Sequence, residues 1–221
     1  MQIELFPYER RVLEELERRF KLERELVVGF ACSLNALPRL YGEVVKNHEG
    51  EFRAGRIVVM GHINHTHHLL IGGLQALGSG NGIVWSACLR GLMELFGGAV
   101  LIAKNPGKAP AFLDRVRPRQ LYDAAERAQP GLGRDIKRLH QIVHPSYGAI
   151  FAGYKIDEPD SKMAQIRFGL QHPTTEDGRE GVIVLANMAS LLVEQFEKLV
   201  ARQDVLTAGK VIMVNFSINR A

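Results

Sequence analysis

The sequence predicts a mainly α-helical fold, a helical bundle carrying a small C-terminal α+β extension. Three observations lead there. Apolar residues recur at spacings of three and four, as at Leu13, Leu16 and Phe20, which is the period of a helix with one buried stripe. The stretch 83–103 is apolar on most sides, with Arg90 and Glu94 as its charges, so other helices must surround it. Strand-like patterns occur as short runs after Tyr147. With 221 residues, 46% hydrophobic and 24% charged, the chain can build one core without a disulfide or a metal. That composition excludes wholesale disorder, a collagen-like fibre and a disulfide scaffold.

The elements follow in order. Residues 8–28 read as one surface helix, with Glu14 and Arg18, and Glu15 and Arg19, at the favourable i,i+4 spacing. In 29–60, Pro38 and the run His48–Gly55 mark turns, and Arg56–Met60 reads as a short strand. A helix over 62–77 is expected to stop at the Gly-Ser-Gly-Asn-Gly turn, 78–82. The apolar central helix follows and ends at Asn105-Pro106-Gly107. Two amphipathic helices, 109–128 and 132–144, are split by Gln129-Pro130-Gly131, and Pro145 stops the second. Beyond them, 155–162 reads as a polar loop, 164–172 as a strand and 172–181 as a loop. Residues 182–203 read as a helix, with Leu191, Leu192, Phe196 and Leu199 on one face. Residues 210–218 read as a strand pairing with 164–171. Residues 1–150 thus form the bundle, and 151–221 an extension packed on it as part of one domain.

Lys plus Arg is 28 against 24 for Asp plus Glu, a net +4. Residues 104–138 carry nine cations (Lys104, Lys108, Arg115, Arg117, Arg119, Arg127, Arg134, Lys137, Arg138) and four acids (Asp114, Asp123, Glu126, Asp135), so they account for the whole excess. The stretch is either a solvated surface or a phosphate-facing patch. Cys32 and Cys88 lie far apart in apolar settings, as free thiols of a reduced compartment do. The N-terminus is charged within four residues and lacks the apolar core of a secretory signal. No apolar run reaches the length of a membrane span, so cytoplasm is the expected location.

Three groups of residues could carry chemistry. His62, His65, His67 and His68 crowd one segment, and His140 and His144 lie four apart on another. His65, His140 and His144 would make a three-ligand metal site, a pattern similar to the histidine triad of DinB-like four-helix bundles. The other reading leaves these rings lining or capping helices, with no metal and no cofactor. Arg90 and Glu94, four apart in the most apolar helix, must each find a partner, because either buried alone costs several kcal/mol. They form an internal ion pair, or Glu94 orients a ring of the 138–144 helix, or Arg90 faces an anionic ligand. Arg138 and His144 pair a guanidinium with an imidazole. That is the minimal kit for metal-independent RNA cleavage, a base for the 2′-hydroxyl and a cation for the phosphorane.

The run WSACLRGLMELFGGAVLI (85–102), followed by RLHQIVHPSYGAI (138–150), resembles the HEPN superfamily, and more narrowly a bacterial branch of unknown function. The resemblance covers about residues 60–150. It implies a helical bundle that dimerises, and an Arg-x(4–6)-His motif that cleaves RNA where two copies meet. Arg138 and His144 fit that spacing, with Arg90, Glu94 and His140 as supporting residues. Leu139 stands where active members carry a polar residue, and His140 follows one place later.

Three readings result. The first is a homodimeric metal-independent ribonuclease or RNA-binding protein of a defence or stress system, such as a toxin–antitoxin pair. The second is a non-catalytic dimeric module that binds a protein or a nucleotide. The third is a histidine-ligated metal-dependent bundle protein.

Overall fold

The computed structural model describes residues 5–46, 52–113, 116–143, 155–157, 165–167 and 173–212, and of residues 138, 140–143 and the two strands it describes the backbone alone. The fold is mainly helical. Helix α1 spans Pro7–Phe20, α2 Arg24–Lys46, α3 Ala54–Ser79 and α4 Gly82–Lys104. A 3-10 segment, Pro106–Leu113, leads to α5, Pro118–Ala128, and α6, Leu132–Val143. Two three-residue strands, β1 (Lys155–Asp157) and β2 (Gln165–Arg167), precede the long α7, Thr175–Val200, and the single turn α8, Gln203–Leu206.

The expected 8–28 helix is two helices. Lys21 adopts the left-handed conformation, φ 51°, and its N–H reaches Glu17 O. Leu22 then turns into the core, where it is buried. This is a C-terminal cap built without glycine, held by the apolar residue that follows it. Helix α2 runs through Pro38, where a turn was expected. Its stripe of Leu34, Leu37, Leu40 and Val44 is fully buried, and that packing outweighs the backbone bond lost at proline.

Arg56–Met60, expected as a strand, is the first part of α3. Packing again decides, since Val58, Val59 and Ile63 are all buried. The start of α3 has its own support. Ala54 N–H donates to Lys210 O at 3.0 Å and Gly55 N–H to Ala208 O at 2.9 Å. The chain after α8 therefore satisfies two of the unpaired donors of α3. A Cβ on residue 55 would lie 2.0 Å from Val205 O, so this approach needs glycine.

Helix α4 is the centre of the bundle, as its composition predicted, packing against α3, α5, α6 and α7. Asn81 caps it by accepting from Val84 N–H at 3.1 Å. By length and composition α4 could also cross a membrane, and most of that window is buried against the other helices.

Helix α7 begins inside the expected 172–181 loop. Thr174 and Asp177 form a capping box, with Asp177 N–H donating to Thr174 Oγ1 at 3.1 Å and Thr174 N–H to Asp177 Oδ2 at 3.2 Å. Leu185, Met188, Leu192 and Phe196 are buried in the same cluster as α2, α3 and α4. The helix assigned to the extension is thus a wall of the bundle core.

The strand pairing differs from expectation. β2 pairs antiparallel with β1, Ile156 opposite Ile166, within what read as a polar loop. Val211 forms a bridge with Arg53. Residues 213–218 of the expected partner strand lie outside the described residues.

Candidate functional site

Residues 90, 94 and 97 lie on one face of α4, one turn apart. At position 97 the face has no side chain, and α5 comes in close. A Cβ there would sit 2.2 Å from Leu121 O. The next α5 residue, Tyr122, is thereby brought to Glu94. Its hydroxyl donates to Glu94 Oε1 at 3.2 Å, and Arg90 Nε donates to the same oxygen at 2.9 Å. The pair is part-buried, with side-chain exposures of 19% for Arg90 and 25% for Glu94, so water screens it incompletely. Burial, and then the Glu94 charge, push the Tyr122 phenol above its ordinary pKa, with Arg90 opposing.

The ion-pair reading of Arg90 and Glu94 describes this geometry. Arg90 is tethered to Glu94 through Nε, and its guanidinium also interacts with the Tyr122 phenol. A part-buried guanidinium fixed in this way suits a phosphate oxygen. Tyr122 was missed in the sequence, where the one signal was that Glu94 needed a partner.

The cation-rich stretch runs from the end of α4 through α5 and α6. Lys104, Lys108, Arg117, Arg119, Arg127, Arg134 and Lys137 are all exposed. Two nearby acids are already engaged. Asp123 lies 3.9 Å from Arg119. Glu126 accepts from Gly131 N–H at 2.9 Å and Gly133 N–H at 2.8 Å. The Gly131 bond chiefly, with that of Gly133, holds the Glu126 carboxyl below its usual range. Glu126 thus closes the α5–α6 turn, whose Gly131 has φ 98°.

On α6, Ile136 and Leu139 are buried and Lys137 is exposed, so the helix is amphipathic as expected. Arg138 and His140 lie on its C-terminal half, and their side chains are outside the described residues, as is His144 altogether. The proposed catalytic pair and the His65, His140, His144 triad therefore have no described geometry.

The α3 histidines are described, and they diverge. His62 is buried, and its Nδ1–H donates to Val58 O at 2.9 Å. Burial pushes its pKa down to about 4, so the ring is neutral. It packs edge-on to Phe112, with ring centroids 5.2 Å apart. His65 and His68 are exposed. His67 turns to α1, where its Nε2 lies 2.5 Å from Glu9 Oε1. Among the described residues no three His, Cys, Asp or Glu side chains converge as metal ligands. Cys32 and Cys88 are both free thiols, as expected.

The chain matches no known family model, no curated protein and no solved structure. Its class is defined by the fold alone, a mainly α-helical bundle with a tethered arginine on its central helix.

Proposed function

We propose that this chain is a HEPN-like helical-bundle protein that binds RNA as a homodimer and cleaves it without metal. The observation that carries the reading is the Arg90 guanidinium, anchored by Glu94 on the central helix, against which α5 and α6, with their exposed cations, pack. Such a surface attracts a polyanion, and its affinity falls with added salt because the counterions that binding releases then gain less entropy. In this reading His144 takes the proton from a ribose 2′-hydroxyl and Arg138 neutralises the charge that develops on phosphorus. The 2′-oxygen attacks phosphorus, the P–O5′ bond breaks, the departing 5′-oxygen takes a proton from water, and the His144 imidazolium returns its proton to solvent, leaving a 2′,3′-cyclic phosphate and a 5′-hydroxyl. His140 and Glu94 are supporting residues. A role in a defence or stress system, with a protein partner that restrains it, fits an activity directed at RNA.

The test measures binding and cleavage of labelled single-stranded RNA in excess EDTA, with the oligomeric state read by light scattering. Cleavage lost in His144→Ala, and salt-sensitive binding weakened in Arg90→Gln and Lys137→Gln, support the reading. Salt-sensitive binding with no turnover leaves a non-catalytic RNA-binding module and removes the enzyme. A monomer with neither binding nor cleavage overturns the proposal.

A further inference from the structure

The α1–α2–α3 side of the molecule holds a second site, whose elements differ from those of the α4–α5–α6 face. A cavity of about 210 Å³ is lined by Phe6, Leu37, Pro38, Tyr41, Ile63, Asn64 and His67. Its walls combine aliphatic Leu37, Pro38 and Ile63 with the rings of Phe6, Tyr41 and His67, and Phe6 and Tyr41 are exposed large apolar residues at its rim. A buried apolar cavity of roughly 150 Å³ accepts one benzene ring, so this volume admits one ring system and little more.

The polar groups lie at one edge. Asn64 is exposed, and its carboxamide has no partner among the described residues. His67 is held from behind. Glu9, with a side chain 5% exposed, accepts from Phe6 N–H through Oε2 at 3.1 Å and faces His67 Nε2 through Oε1. A carboxylate only accepts, so Nε2–H donates to it. The imidazole is thus fixed in orientation by a buried acid that also caps α1.

We infer that this cavity binds a single planar heteroaromatic ring of the nucleobase class. Aromatic and prolyl walls suit the faces of a flat ring. The free amide of Asn64 offers an adjacent donor and acceptor, which match the N6 and N7 edge of adenine. A purely hydrocarbon ring would leave that amide unused. Among the described residues no lysine or arginine lines the cavity, so it recognises the base and not a phosphate tail. The inference goes beyond the RNA reading, and free nucleosides test it whether or not RNA binds.

The experiment titrates the full chain with adenosine, uridine and indole, observed by ligand saturation-transfer NMR, with Tm followed for each variant. Adenosine is expected to bind more tightly than indole. Asn64→Ala is expected to weaken adenosine by about tenfold while leaving indole unchanged. Tyr41→Ala is expected to weaken both. Both positions are at the surface, so Tm should hold in each variant. Absence of nucleoside binding, or adenosine binding indifferent to Asn64→Ala, overturns the site. Indole binding as tightly as adenosine overturns the nucleobase class.

Discussion

Tyr122 and Arg90 share one oxygen of Glu94, from opposite sides of the α4–α5 seam, at 3.2 and 2.9 Å. The carboxylate is therefore both the tether of the arginine and the anchor of α5. Removing the phenol hydroxyl in Tyr122→Phe is expected to cost about 1.5 kcal/mol of stability, the lower end for a hydrogen bond to a charged group. Glu94→Ala is expected to cost about 2 kcal/mol, because it strands a part-buried guanidinium. Urea unfolding measures both. The raised Tyr122 pKa sets a sign as well. The folded phenol keeps its proton where the unfolded one has lost it. Its contribution is thus full below the ordinary tyrosine value and is lost as pH rises through the folded one. Tyr122→Phe should flatten that alkaline fall.

His62 makes the opposite prediction. Its folded pKa, about 4, lies below the ordinary histidine value of 6.5 because the ring is buried. Between those values the unfolded ring is charged and the folded ring neutral, so acid favours unfolding. Stability is expected to fall by up to about 3 kcal/mol from this group as pH drops from 6.5 to 4, at 1.36 kcal/mol per pKa unit. His62→Leu should remove that slope. Equal pH dependence in the two proteins would show that the ring is charged or reached by water.

Two glycines separate close approach from helix propensity. Gly97→Ala places a Cβ 2.2 Å from a backbone oxygen of α5, which cannot swing aside as a side chain can. It is expected to destabilise by about 3 kcal/mol, through overpacking at the seam. Gly29→Ala, on an exposed face of α2 with nothing within 4 Å, is expected to stabilise by about 1 kcal/mol. Thermal melts of the pair decide whether the α4–α5 contact is as tight as described.

Phe196 of α7 is fully buried against the other helices. Phe196→Ala is expected to cost about 4 kcal/mol in a single cooperative transition. A separate transition confined to the C-terminal part would instead mark α7 as an independent unit.

Much of the architecture was legible in the sequence. The period of apolar residues reports which face of a segment is buried, so α4, α6 and the body of α7 could be read directly. Boundaries were less legible where packing overrode local preference. Pro38 sits inside α2, Lys21 breaks a continuous amphipathic pattern, and the β-branched start of α3 is helical. In each case burial of the segment's own leucines or valines against other elements outweighs the local cost.

The candidate site divides along the same line. The sequence by itself determined that Arg90 and Glu94 face each other, because both lie on one helix at i,i+4. It also determined that the cations concentrate in 104–138. Only the tertiary structure decided that Tyr122 completes the Glu94 cluster, that Glu9 holds His67, and that His62 is a neutral core ring. Periodicity says that a side chain is buried but not what it meets. Those partners come from residues 28, 58 and 50 positions away, counted from Glu94 to Tyr122, Glu9 to His67, and His62 to Phe112. Contacts across such distances exist only once the helices have packed.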